Sequence, residues 1–437
     1  MYNRDDTVVM VLEKIKERLK EVVDDAQVRL DVEVAQNPEL RKAINIVEAY
    51  LRKSGRVCYG GQAINANLPK QDQFYNPETT MPDYDFFSPS AKEDVDYLVD
   101  ELKKAGYKEI SKRVGIHDGT MKVFVNYTAI ADISQLIPEF YNEIHKRSVT
   151  INGIRYADPI FLRMLMYLEL SRPRGQVERW GKVYERLVLL DKAHPLPKCA
   201  KKKLSLVEND AVEKARPILV RFMIKNKRVF MGADVHMMYK SSLTAKSRVN
   251  FLLRGSAPIV FFSPNADLDA DALAQTTMSR KVQVLGYQGM LPAMVALYHG
   301  ESLIGLIVQE EACHSIITFP LTKQRQLRVA SPDTLLTFLI GLYYRDDSLI
   351  MTHSSILCWL KQYIDISNKY KERPTKIIPA FSIECSGYQT TFASLLRSKA
   401  ARVEAERQRI GSLVSNPRAT RRKFMNFGSR VTRRKYV

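Results

Sequence analysis

The chain has 437 residues, 45% apolar and 26% charged, with 67 Lys+Arg against 48 Asp+Glu and a net charge of +19. This composition supports a large buried core and excludes a disordered or low-complexity chain. The length exceeds what a single core usually serves, so two or more domains are expected. No run approaches the ~18 apolar residues of a membrane-spanning helix, and the charged N-terminus lacks the apolar core of a secretory leader. A soluble intracellular protein with no membrane partner is therefore expected. The five cysteines (58, 199, 313, 358, 385) are scattered without a CxxC pair or a His at ligand spacing, which reads as a reducing compartment without structural zinc.

The elements follow in order. Val8, Leu12, Ile15, Leu19 and Val22 repeat at helical spacing, predicting an amphipathic N-terminal helix. A second helix is bracketed by Asn37-Pro38 and Gly55. A short strand, Arg56 to Tyr59, runs into Gly60-Gly61 and a short helix from about Gln62. After a polar loop comes a strand over Asp83 to Phe87, then a helix from Ala91 to Ala105. Strands follow at Tyr107–Lys112, Met121–Tyr127 and Ala129–Gln135, with an Asp118-Gly119 turn between the first two. Beyond an Asn152-Gly153 turn, Asp158-Pro159 starts an apolar helix, and another runs from about Gln176 to Leu190. This order is α+β, a small mixed sheet flanked by helices.

The rest of the chain reads as a second copy of that pattern. Arg56-Val57 with Gly60 recurs as Arg228-Val229 with Gly232, and Phe86-Phe87-Ser88-Pro89 as Phe261-Phe262-Ser263-Pro264. Ile130-Ala131-Asp132-Ile133 with Gln135 matches Ile304-Gly305-Leu306-Ile307 with Gln309; Arg155 and Pro159 match Arg328 and Pro332; Trp180 and Tyr184 match Trp359 and Tyr363. Landmarks in order at nearly constant offset indicate duplication. The expected division is N-terminal helices over 1–54, a catalytic domain over 55–193, a linker over 194–210, a degenerate copy over 211–396 and a basic tail over 397–437.

The duplication separates folding from chemistry. Asp83, Asp85 and Asp132 meet Pro258, Val260 and Leu306, and Gly61 meets Ala233; the three carboxylates are dispensable to the fold and are therefore candidates for chemistry. Asp83 and Asp85 share one face of a strand, and an oxygen-only pair of this kind suits Mg²⁺ or Mn²⁺. Asp132 would complete a two-metal site. Gly60 and Gly61 would let backbone N–H groups approach a triphosphate.

Strand, Gly-Gly, helix, then DxD, then a third Asp resembles the nucleotidyltransferase superfamily of the DNA polymerase β type. Within it, CYGGQAINANL, MPDYDFFSP and YTAIADIS, with the degenerate copy and basic tail, resemble the poly(A) polymerase catalytic subunits of large cytoplasmic DNA viruses, the giant-virus type above all. The motif match covers about residues 55–190. The resemblance implies that Asp83, Asp85 and Asp132 hold the metal and act in catalysis, that Gly60 and Gly61 contact ATP, and that AMP passes to RNA 3′ ends, as in mRNA polyadenylation. It further implies a cytoplasmic viral factory or virion, and it leaves room for a homodimer or a processivity subunit. The interval from Gly61 to Asp83 is longer than the superfamily's usual one.

From Arg397 to Val437 there are 13 basic and two acidic residues, a net +11. Arg421, Arg422, Lys423, Arg433, Arg434 and Lys435, interleaved with aromatics, form an RNA-binding candidate. Lys146, Arg147 and Arg155 are candidate phosphate ligands, and Trp180 and Tyr184 candidate adenine stackers whose recurrence favours core packing. His117 has no visible partner. Two alternatives remain open: a transferase using another nucleotide or acceptor, and a non-catalytic RNA-binding subunit.

Overall fold

A computed structural model describes residues 4–415, apart from 198, 200–208, 241–243, 255–256, 288, 323–324, 346–348 and 351. The chain opens with α1 (Arg4–Gln36) and α2 (Pro38–Ser54). Asn37 caps α2 by accepting from the backbone N–H of Glu39 and Leu40, and Gly55 ends it in the left-handed conformation at φ 63°. In α1, longer than its expected twenty-odd residues, Leu12, Ile15, Leu19 and Val22 are exposed; none of the other described residues covers this stripe.

Next come β1 (Val57–Tyr59), α3 (Gly60–Ala66), β2 (Tyr84–Ser88), α4 (Ala91–Lys104), β3 (Ile110–Val114), β4 (Thr120–Val125), β5 (Thr128–Gln135), α5 (Pro138–Arg147), β6 (Val149–Ile151), β7 (Ile154–Tyr156), α6 (Pro159–Leu170) and α7 (Trp180–Ala193). Beyond them lie α8 (Asp210–Lys225), β8 (Val229–Met231), α9 (Ala245–Arg254), β9 (Ile259–Ser263), α10 (Ala266–Thr277), β10 (Arg280–Val284), β11 (Met294–His299), β12 (Ser302–Gln309), β13 (His314–Pro320), β14 (Gln326–Ala330), α11 (Pro332–Tyr343), α12 (His353–Glu372), β15 (Cys385–Ser386) and α13 (Phe392–Ser415).

Two mixed sheets result. The first has the order β3-β4-β5-β2-β1-β7-β6 and the second β10-β11-β12-β9-β8-β14-β13-β15. Strand for strand the orders match, with β15 added at the far edge. Registers match too: Val57 faces Phe87 as Val229 faces Phe262, and Phe86 faces Ile133 as Phe261 faces Ile307. Both hairpins next to the centre carry a register shift at the same place, after Val123 and after Leu297.

Repeated residues do repeated structural work. Arg56 makes a bidentate pair with the buried Asp94 at 2.7 and 2.8 Å, and Arg228 does the same with Asp269 at 2.6 and 2.8 Å. The Gln135 side chain accepts from Ala91 N–H at 2.7 Å to fix the start of α4, as Gln309 accepts from Ala266 at 2.9 Å for α10. The halves are joined through a buried core: Phe140 stacks on Tyr287 with centroids 4.3 Å apart, and the Tyr344 hydroxyl donates to Asp158 at 2.5 Å.

The cysteine reading needs correction. Cys199 is disulfide-bonded to Cys358 and Cys313 to Cys385, leaving Cys58 buried and free. Partners 159 and 72 residues apart in sequence cannot be recognised from spacing. No described helix is long and apolar enough to cross a membrane.

Candidate active site

The predicted carboxylates meet on adjacent strands. Asp85 lies directly opposite Asp132 across β2 and β5, and Tyr59 lies opposite Asp85 across β1 and β2. Facing residues in a sheet share a side, and Asp83 falls on the same side by the two-residue period of the strand. Asp83 stands at the exposed mouth while Asp85 and Asp132 are half-buried.

A carboxylate set among like charges in partly desolvated surroundings resists ionisation. Burial, then the neighbouring Asp83 and Asp132, push the Asp85 carboxyl up to about 7. The Asp83 carboxyl is raised by desolvation on its inner side and by Asp132. Burial and then Asp85 raise the Tyr59 phenol, whose hydroxyl lies 2.8 Å from Ser134 Oγ.

Lys122, which the sequence reading did not single out, sits opposite Asp132 on β4 and ion-pairs with its Oδ2. The other oxygen, Asp132 Oδ1, is buried without a hydrogen-bond partner. Among the described residues no three His, Cys, Asp or Glu side chains are gathered closely enough to enclose an ion. The donor set nonetheless fits a hard divalent cation, being oxygen-only, over-concentrated in charge and provided with an orphaned buried oxygen.

A Cβ at either glycine would meet the end of a side chain. Gly60 has φ 73°, and a Cβ there would stand 2.5 Å from Asp85 Oδ2; one on Gly61 would stand 2.5 Å from Tyr75 Oη and 3.1 Å from Arg186 Nη1. The long Gly61-to-Asp83 interval supplies this wall. Its Tyr75 hydroxyl accepts from Arg186 at 2.9 Å, and Arg186 also lies over the Phe74 ring at 4.4 Å. Arg179, Lys182 and Arg186 lie on or just before α7; the field of Arg179 reaches Asp85, and burial, Arg186 and Arg179 hold the Lys182 ammonium below its usual range. Their spacing of three and four residues was the available signal.

Other candidates have structural places. Lys146 and Arg147 end α5 rather than forming a hairpin; they pair with Glu143 at 3.6 and 3.5 Å, and Arg147 lies over Tyr343 at 4.6 Å. Arg155 donates to Ser148 at 3.2 Å. Trp180 and Tyr184 pack on Phe381 at 5.8 and 5.5 Å, consistent with core packing. His117 lies near Arg172 and Arg402, whose charges together with burial lower its pKa. Arg421, Arg422, Lys423, Arg433, Arg434 and Lys435 lie outside the described residues. The tail's first part, from Arg397, belongs to α13, where Arg402 donates to Ile116 O at 3.1 Å and faces Asp118 at 3.5 Å.

Residues 45–176 match the family of poly(A) polymerase catalytic subunits. A poly(A) polymerase catalytic subunit of Acanthamoeba polyphaga mimivirus is 29% identical over 189 residues, 42% of this chain and 32% of that protein. Its counterpart from African swine fever virus (strain Badajoz 1971 Vero-adapted) is 30% identical over 165 residues, 36% of this chain and 34% of the other. The matched part thus spans about a third of those relatives. The crystal structure of the Megavirus polyadenylate synthase superposes with a TM-score of 0.73 at 18% identity, covering 93% of this chain and 84% of that one. Sequence over residues 45–176 and fold over nearly the whole chain together bear out the resemblance to the poly(A) polymerase catalytic subunits of giant and other large DNA viruses.

Proposed function

We propose that this protein is a template-independent polynucleotide adenylyltransferase, transferring AMP from ATP to the 3′-hydroxyl of RNA and releasing pyrophosphate. The observation that carries it is the Asp85–Asp132 pairing with Asp83 beside it, in a sheet whose duplicate keeps the register and loses all three carboxylates. The RNA 3′-oxygen forms a bond to the α-phosphorus of ATP as the bond to the β-phosphate oxygen breaks. Asp132, held by Lys122, faces the hydroxyl and takes part in removing its proton. Mg²⁺ or Mn²⁺ on Asp83, Asp85 and Asp132 would supply charge neutralisation at the triphosphate and at the hydroxyl. Gly60 and Gly61 offer backbone N–H groups to the triphosphate, and Arg179, Lys182 and Arg186 offer cations nearby.

In the same proposal, residues 55–193 are the catalytic domain, 211–396 a scaffold copy and 397–437 an RNA-gripping tail, acting on mRNA in a cytoplasmic viral factory and packaged in the virion. The uncovered apolar stripe of α1 supports a homodimer, and a processivity subunit is compatible with the family description.

The test is incubation of the purified chain with a short labelled RNA, Mg²⁺ and each ribonucleoside triphosphate separately. Long products with ATP alone are expected. Extension by another nucleotide would keep the site and change the substrate, whereas normal extension by the double variant Asp83→Ala, Asp85→Ala would refute the proposal.

A further inference from the structure

The row of facing residues in the first sheet continues past Asp132. Across five strands it reads Arg113, Lys122, Asp132, Asp85 and Tyr59. The same register positions of the second sheet hold Val282, Ala296, Leu306, Val260 and Met231. The duplicate has lost both cations along with the carboxylates, so the comparison that removes the aspartates from the folding requirement removes Arg113 and Lys122 as well. Phe124 behaves differently, its equivalent being Tyr298; each aromatic carries an arginine on its face, Arg113 at 4.5 Å and Arg280 at 5.3 Å.

The row has a direction. Tyr59 leads into Gly60 and Gly61, the triphosphate contacts of the proposed reaction. The opposite end carries positive charge: Lys122 is 36% exposed, and Arg113 is exposed with no carboxylate partner among the described residues. At the far end of β4, five residues beyond Lys122, the β4–β5 turn, Asn126-Tyr127, takes φ 48° and 65°. A bulky aromatic rarely adopts such a backbone, and here Tyr127 leaves 79% of its surface in water. Because β2 and β5 run parallel, this turn stands at the Asp83 end of the sheet. The corresponding turn in the duplicate is Gly300-Glu301.

We infer that the β3–β4 edge is the acceptor subsite: the last phosphodiester of single-stranded RNA lies against Lys122 and Arg113, and an unpaired base stacks on Tyr127, presenting the 3′-hydroxyl to Asp132. The inference rests on the adenylyl-transfer reading and adds where the acceptor binds. Backbone phosphates seek cations free of protein carboxylates, and unpaired bases seek exposed rings. Lys122 is held by Asp132 in the free protein and meets the phosphate once that carboxylate is otherwise engaged.

The experiment has two arms, both on the full chain. In EDTA without ATP, fluorescence anisotropy of labelled oligo(A) across a KCl series compares wild type with Arg113→Gln and Tyr127→Ala. Arg113→Gln should lower the salt slope by about one, and Tyr127→Ala should weaken binding about tenfold. In steady-state extension both should raise KM for RNA about tenfold and leave KM for ATP within about twofold. In the extension arm, with Mg²⁺ and ATP present, Lys122→Met should likewise raise KM for RNA, with Lys122→Arg restoring it. Unchanged RNA affinity and KM in Arg113→Gln and Tyr127→Ala would overturn the inference, as would a rise confined to KM for ATP. If wild type extends no RNA with any nucleotide, the transfer reading fails by itself, while the anisotropy arm still decides whether this edge binds RNA.

Discussion

Asp85 carries the largest electrostatic penalty in the site, and its consequences can be measured without substrate. Its carboxyl ordinarily titrates near 3.8 and is pushed up to about 7 in the fold, by burial first and then by Asp83 and Asp132. The folded protein therefore binds a proton that the unfolded chain has released, and metal-free stability should fall as pH rises from about 4 to about 7, then level off. Asp85→Asn reduces this dependence to the part that Asp83 contributes; thermal unfolding in EDTA at pH 8 should show it more stable than wild type by a few degrees. Mg²⁺ should raise the wild-type Tm at pH 8 more than at pH 6 and leave Asp83→Asn, Asp85→Asn nearly unmoved; equal responses would remove the carboxylates from metal binding. The aspartates were legible in the sequence because a two-residue spacing on a strand fixes their side of the sheet. Lys122 and Arg186 were not, since their significance comes from what lies opposite them.

The elements are held by contacts that recur in both copies and so belong to folding. Arg56 ties β1 to α4 through the buried Asp94, as Arg228 ties β8 to α10 through Asp269. Removing one partner strands a buried charge, so Arg56→Ala should lose about 3–5 kcal/mol in urea unfolding. A loss no larger than that of an exposed arginine would show that α4 is anchored by its apolar face alone. Capping signals predicted several helix boundaries well: Asn37 and Asp158 accept from the first free N–H groups of α2 and α6. The α3 equivalent was less legible. The duplicate has a 3₁₀ turn over Ala233–Tyr239 in place of the α-helix at Gly60–Ala66.

At the scale of the whole molecule, the halves share one apolar interface, and its polar exceptions are informative. Asp158 both caps α6 and accepts from the buried Tyr344 hydroxyl on the other half. Tyr344→Phe should therefore destabilise the protein by about 1–3 kcal/mol, read by denaturant unfolding, because it leaves a buried carboxylate oxygen short of a partner. The two disulfides add a second test: alkylation and mass analysis without reductant should leave four cysteines protected, with Cys58 buried. Reduction should lower Tm, most through the 159-residue separation of Cys199 and Cys358. The sequence by itself determined the duplication, the α+β order, the carboxylate triad and its absence from the second copy, since these are written in spacing and local pattern. Only the tertiary structure decided the disulfide partners, the Lys122 pairing, the cations of α7 beside Gly61 and the charged row reaching Arg113. Those depend on which strands and helices become neighbours, a choice made by burial of the whole apolar core and not by any single segment.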